Sequence, residues 1–256
     1  MRFTVHQVLP GVHHMEDPLG GVHMTLVVGN KQALMMDAGY GAYDVSAQVR
    51  QITDLPLTLI LSHGHHDHAL GAMWFDEAFM DPRDLPVLRH YTGLVERERV
   101  IRRAGLTGRA AYAYRSRQIP QPRPLGEGPL DLGGLTVLPT RVPGHTPGSV
   151  ALLVQEHRLL LLGDSWNPQT WVFFPEALPV DTYIASFRRL MASPFDLALA
   201  PHQAEPVSRD YLLAFRDGLI TNGPAVAKPF VVPGHERVPT LACAPVKGAR
   251  LIFRQP

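Results

Sequence analysis

Short apolar runs separated by turn residues set the class of this chain. Thr25, Leu26, Val27 and Val28, a Gly29-Asn30 turn, then Ala33, Leu34, Met35 and Met36 read as a β-hairpin that ends at Asp37. Between residues 43 and 53, Val45, Val49 and Ile52 recur at helical spacing. Residues 57–61 form a short, fully apolar strand. A strand–helix–strand order with a buried second strand predicts α/β layering.

The pattern continues in the same style. Residues 69–79 predict a helix, 87–89 a short strand, and about 91–117 a helical stretch, after which Pro120, Pro122 and Pro124 break the chain. Strands are expected at 135–138, 150–154 and 158–162. A helix over 181–191 would have Asp181 as N-cap and Ile184, Phe187 and Met191 as its apolar face. A strand at 197–200 and a helix at 209–219 follow. The tail holds Pro224, Pro229, Pro233, Pro239 and Pro245, and returns to β character at the apolar patch 250–253. No solenoid-length repeat is visible, although two β-rich halves closed by helices are compatible with a pseudo-repeat.

Composition narrows the classes. Of 256 residues, 45% are hydrophobic and 18% charged, enough to bury a large core. The net charge of +1 asks for neither nucleic acid nor a membrane surface. The lone cysteine, Cys243, rules out an intramolecular disulfide and a cysteine-based zinc site. Any metal must therefore be held by nitrogen and oxygen. Residues 1–6 lack a signal-peptide pattern, and no run reaches the ~20 apolar residues of a membrane span. The expectation is a soluble cytoplasmic protein. The 24 prolines are scattered over segment ends, which suggests stiff loops.

Ligand chemistry is concentrated directly after the apolar strand, in His63-Gly64-His65-His66-Asp67-His68. Loops at strand ends carry function in α/β folds. His63 and His65 lie two apart and share a side of an extended stretch, so they could grip one metal. Asp67 and His68 turn away and could grip a second. Imidazole and carboxylate suit zinc, iron or manganese. Three later loops repeat the theme: His145 within Pro-Gly-His-Thr-Pro-Gly-Ser, Asp164 at the end of an apolar strand, and His202 in Ala-Pro-His. A solvated histidine patch, a helix cap or a polar strand end would explain each singly. It would not explain four strand-end loops that all deliver metal-ligand chemistry.

This ordered set resembles the metallo-β-lactamase-fold hydrolase superfamily over roughly residues 1–205. The resemblance implies one domain spanning 1–256, an αββα sandwich of two mixed β-sheets flanked by helices. A helical insertion would occupy about 89–124 and a proline-rich extension would start at about 222. It implies that His63, His65 and His145 hold one metal, that Asp67, His68 and His202 hold the other, and that Asp164 bridges them. Two Zn(2+) are expected, with iron or manganese as substitutes. His66 would be the non-ligand of the run. Asp37 resembles the family's early aspartate and would fix the ligand loop by hydrogen bonds.

Two metals about 3.5–4 Å apart can share a hydroxide at neutral pH. The expected reaction is attack on the carbonyl of a carboxylic ester, lactone or thioester, with Asp67 orienting the nucleophile and receiving a proton. Phosphodiester or β-lactam hydrolysis on the same site, or an iron-dependent thiol dioxygenase, are the alternatives. True β-lactamases of this fold generally lack an aspartate at the bridging position, so Asp164 favours the glyoxalase II-like, lactonase or phosphodiesterase-like branches. The proline-rich end differs from the helical glutathione-binding domain of glyoxalase II.

The expected partner is a small molecule, not a nucleic acid or a membrane, and a homo-oligomer is compatible with the chain. Nine arginines lie at Arg89, Arg97, Arg99, Arg102, Arg103, Arg109, Arg115, Arg117 and Arg123. They could form a basic lid for an anionic substrate, or simply a solvated face. Tyr112, Tyr114 and Tyr183 are candidates to steady an oxyanion. The loop from Met15 to Gly21 could be a pocket wall. Trp74, Trp166, Trp171, Phe173 and Phe174 could supply apolar contacts, with Trp166 and Trp171 favoured by their proximity to Asp164 in sequence.

Overall fold

The hairpin at 25–36 lies in the middle of a seven-stranded mixed sheet. The computed structural model describes residues 2–255. Within it the chain divides between Leu138 and Pro139 into two compact units.

In the first unit, β1 (Thr4–Leu9), β2 (Val12–Glu16), β3 (His23–Val28) and β4 (Ala33–Met36) pair antiparallel in sequence order. β5 (Leu57–Ile60), β6 (Phe79–Met80) and β7 (Arg123–Pro124) then add in parallel. Period-2 alternation sends Met24, Leu26, Met35 and Leu59 into one buried cluster, where they meet Val45 and Val49. Those two valines belong to α1 (Val45–Val49), shorter than its pattern implied and N-capped by Asp44, whose carboxylate accepts from the Ala47 N–H at 3.0 Å. Ile52 lies past the helix and packs against the same cluster.

Three expectations change here. The helix expected at 69–79 starts earlier, as α2 (His66–Ala69), and continues as a 3₁₀ segment only to Trp74; Phe79 and Met80 join the sheet. Residues 87–89 are not a strand but lie in α3 (Leu85–Tyr91), with Pro86 in its first turn. A three-residue apolar run cannot separate a strand from a helix face, and here Val87 and Leu88 are buried as part of a helical turn. The stretch 91–117 is two helices, α4 (Leu94–Ala104) and α5 (Gly108–Ser116), because Gly105 takes φ +64° and ends the first.

β8 (Leu130–Asp131) pairs antiparallel with β9 (Thr136–Arg141), which carries the chain across the division. The second unit adds β10 (Val150–Val154), β11 (Leu159–Leu161), β12 (Gln169–Val172), β13 (Leu197–Leu199) and β14 (Val207–Ser208). β10 and β11 are antiparallel, β11 and β13 parallel, and β13 and β14 antiparallel. α6 (Val180–Leu190) is capped at Pro179, so Asp181 lies inside its first turn rather than at the N-cap. There its carboxylate complements the helix dipole. The buried face of α6 is Tyr183, Ser186, Phe187 and Leu190, with Ile184 only half-buried. α7 (Arg209–Thr221) buries Leu212, Phe215 and Leu219.

The proline-rich tail forms β15 (Lys228–Phe230), β16 (Thr240–Val246) and β17 (Ala249–Arg254). With β12 these make a small additional sheet in the order β12-β17-β16-β15. The α/β class, with mixed sheets and flanking helices, is therefore as the pattern predicts. Among the described residues no helix is long and apolar enough to cross a membrane.

Candidate metal centre

His63, His65, Asp67 and His68 come from one turn of chain after β5. His63 lies in a bend, and His65 has β-region φ/ψ as N-cap of α2, on whose first turn Asp67 and His68 lie. The rings of His63 and His65 are 4.7 Å apart, and those of His63 and His68 4.2 Å. His63 and His68 are fully buried, and His65 nearly so. Asp67 places Oδ2 3.7 Å from His68 Nε2.

One carboxylate orders this group. Asp37 Oδ1 accepts from the Ser62 N–H at 2.7 Å, and Oδ2 accepts from the Ser62 hydroxyl at 2.8 Å. The same Oδ2 lies 2.9 Å from His68 Nδ1. Ser62 Oγ, its proton given to Asp37, can accept from His63 Nδ1 at 2.9 Å. Both rings are thereby held as Nδ1–H tautomers with a lone pair on Nε2, the form a metal ligand needs. Asp37 itself adopts φ +65°, a conformation Asp tolerates better than most residues.

Backbone contacts fix the loop. The Gly64 N–H donates to Asp84 Oδ2 at 2.7 Å. A Cβ on Gly64 would come within 2.4 Å of the Leu88 nitrogen, so only glycine fits against α3. Ser62, Asp84 and Tyr91, whose ring lies 4.4 Å from that of His65, were not singled out from sequence. Ser62 adjoins the run, but Asp84 and Tyr91 carry no local signal. His66 is turned aside, between the rings of Tyr40 at 5.7 Å and Tyr91 at 6.3 Å.

The second unit assembles His145, Asp164 and His202. Asp164 follows β11, just after Gly163 at φ +50°. Its Oδ2 is 3.4 Å from His145 Nε2, and its Oδ1 is 3.4 Å from His202 Nε2. His145 Nδ1 donates to the Trp171 carbonyl at 2.6 Å, which again places the ring's lone pair on Nε2. Asn167, also missed in the sequence, donates from Nδ2 to Asp164 Oδ1 at 3.1 Å and accepts from the His202 N–H at 3.3 Å. Each unit thus presents imidazole and carboxylate groups close together, a donor set that fits a divalent transition metal without any thiolate.

The model of one family, the metallo-beta-lactamase superfamily, matches residues 17–202. The chain belongs to the metallo-beta-lactamase superfamily. It is 28% identical over 187 residues to an acyl-coenzyme A thioesterase, MBLAC2, of Gallus gallus, an alignment covering 65% of each chain. The chain thus spans just under two thirds of that relative's length. A metallo-beta-lactamase family protein of Thermus thermophilus shares the fold, with TM-score 0.59, 20% identity, and coverage of 97% of this chain and all of that one. TTHA1623, solved in a di-iron-bound form, matches with TM-score 0.55 and 25% identity over 76% of this chain and 92% of its own.

Several residues considered for substrate contact in this superfamily member have other work. Tyr114 is buried and donates to the Tyr40 carbonyl, and Tyr183 is buried and donates to the Ser165 carbonyl. Burial pushes both phenols up, so they stay neutral. Tyr112 is 71% exposed. Trp166 lies in the core against Phe215. Trp74 donates to the Gly41 carbonyl under the Arg117 guanidinium.

Most of the arginine segment is structural too. Arg97 is buried and donates to the Thr92, Tyr114 and Arg117 carbonyls. Arg99 pairs with Glu96, Arg115 with Glu98 and Arg123 with Glu77. Arg103 donates to Tyr40 Oη and to the Leu19 and Gly20 carbonyls, fastening the loop after β2. Arg89, Arg102 and Arg109 are exposed.

Proposed function

We propose that this chain is a dinuclear metal-dependent hydrolase that cleaves a carboxylic ester, lactone or thioester at its carbonyl, with all seven ligand residues acting in one catalytic domain. His63, His65 and His145 would hold one ion, Asp67, His68 and His202 the other, and Asp164 would serve both. The observation that carries the reading is the geometry of Asp164: each of its oxygens faces the Nε2 of a different histidine at 3.4 Å. A carboxylate held in that way is suited to bridging. The superfamily match and the thioesterase relative support hydrolysis at a carbonyl.

The ions, zinc in this reading, would supply Lewis acidity and a water-derived nucleophile at neutral pH. The chain's own residues do the rest. Asp37 and the Trp171 carbonyl keep His63, His68 and His145 in the ligating tautomer. Asn167 holds the Asp164 carboxylate in place through Oδ1. The Asp67 side chain retains 16% of its exposure, so it can meet the attacking water, orient it and take its proton. Arg89, Arg102 and Arg109, which are exposed, would attract an anionic small-molecule substrate.

The test is metal analysis of the purified protein with a panel of p-nitrophenyl esters, lactones, thioesters, phosphodiesters and a β-lactam. Two metal ions per chain and turnover of a carbonyl substrate are expected. Asp164→Ala should lower that turnover by more than the roughly 10–100-fold loss typical of a residue outside the ligand set. One iron per chain with thiol oxygenation, or full activity in Asp164→Ala, would overturn the reading.

A further inference from the structure

The tail lies outside the family match, which ends at residue 202, yet it builds the surroundings of a proposed ligand. Trp171, whose carbonyl fixes His145, sits on β12 and is paired in register with Ile252 of β17. The loop between β15 and β16 folds over that face of the small sheet. Its His235 ring lies 5.6 Å from Trp171, 5.3 Å from Phe173 and 5.4 Å from Phe174. Phe174 in turn meets the His145 ring edge-on at 6.0 Å. Phe173, Val232 and Ile252 are buried behind this group, whereas Trp171 and Phe174 are half-buried and His235 lies at the rim.

From this arrangement we infer that Trp171, Phe174 and His235 form the wall that receives the apolar acyl group of the substrate, so that the tail sets acyl-length preference. The inference rests on the carbonyl-cleaving reading above. Three features support it. The wall is continuous with His145, where the carbonyl would be processed. Its side chains are aromatic, and no lysine or arginine is among them, so it favours carbon over charge. It is also held firmly: the His235 N–H donates to the Val232 carbonyl, the Val238 N–H to the His235 carbonyl, and the Gly234 N–H to Glu236 Oε1. Pre-ordering lowers the entropy lost when a chain is bound.

The experiment is calorimetric binding of straight-chain carboxylates, acetate to octanoate, to the metal-loaded protein. The carboxylate end is constant across the series, so the slope per methylene reports the wall alone. Affinity should rise about three- to fourfold per methylene buried. Phe174→Ala and His235→Ala should flatten the slope to under about twofold, and His235→Phe should retain it because the aromatic surface is kept. A flat series in the wild-type protein, or an unaltered slope in both alanine variants, overturns the inference. If Phe174→Ala does not fold, the two His235 variants on the loop decide. A steep slope without turnover of any carbonyl substrate would leave the wall standing and sink the reaction assigned above. Turnover with a flat slope would do the reverse.

Discussion

Replacing Asp37 by Asn tests whether one carboxylate sets the state of two proposed metal ligands. Asn tolerates φ +65°, so the backbone is spared. The new side chain has one acceptor and one donor end where Asp37 accepted three hydrogen bonds. If the amide NH₂ takes the place of Oδ2, it donates to Ser62 and toward His68 Nδ1. Ser62 then turns its proton onto His63 Nδ1, and both rings are driven to the Nε2–H tautomer, which cannot ligate. If instead the NH₂ faces the Ser62 N–H, two donors meet and a buried amide loses its partner, at about 1–3 kcal/mol. The first outcome should weaken metal binding by about 10–100-fold, the usual effect of losing a partner behind a ligating histidine. That corresponds to about 1.4–2.8 kcal/mol. The assay is titration of metal-free Asp37→Asn with zinc against a competing chelator, together with thermal unfolding of the metal-free form. Weaker zinc binding, or a less stable metal-free protein, is expected. Wild-type values for both would refute the tautomer argument.

Other substitutions probe separate parts of the structure. Gly64→Ala forces a Cβ within 2.4 Å of the Leu88 nitrogen and should destabilise the protein by about 1–3 kcal/mol or more, because backbone must move; an unchanged melting temperature in denaturation scans would contradict the close approach. Burial pushes the Cys243 thiol up to about 11, so it carries less thiolate than a free cysteine at every pH below that value. At pH 8 about one thiol in a thousand is then ionised, against about a quarter for a free cysteine. A disulfide reagent should label the native chain at least about 100-fold more slowly than the urea-unfolded chain, and equal rates would show the thiol to be accessible.

Much of the proposed ligand set is legible without coordinates because ligand chemistry is a matter of residue type and short spacing. His63, His65, Asp67 and His68 follow an apolar strand, and that is where the structure puts them. Asp37 was recognisable only by family likeness, yet it proves to be the organising carboxylate. Asp84, Asn167 and Tyr91 carried no signal, since an isolated Asp, Asn or Tyr looks alike in a loop and in a site. The arginine segment misleads in the opposite direction. Read along the chain it is a basic stretch, but the fold turns Arg97 inward onto carbonyls and fastens Arg103 to the loop after β2. Partners 17 to 84 residues away decide this, and no local pattern reports them.

The sequence by itself determined the α/β class, the β3–β4 hairpin, the strand before the histidine run and the residue types of the proposed ligands. These depend on alternation, turn chemistry and side-chain type, all of which are local. Tertiary structure alone decided which ring nitrogen of His63, His68 and His145 keeps its lone pair, that residues 85–91 form a helix rather than a strand, and that the proline-rich tail becomes a sheet against β12. Those outcomes depend on hydrogen-bond partners and burial supplied by distant segments, and such interactions exist only once the chain has folded.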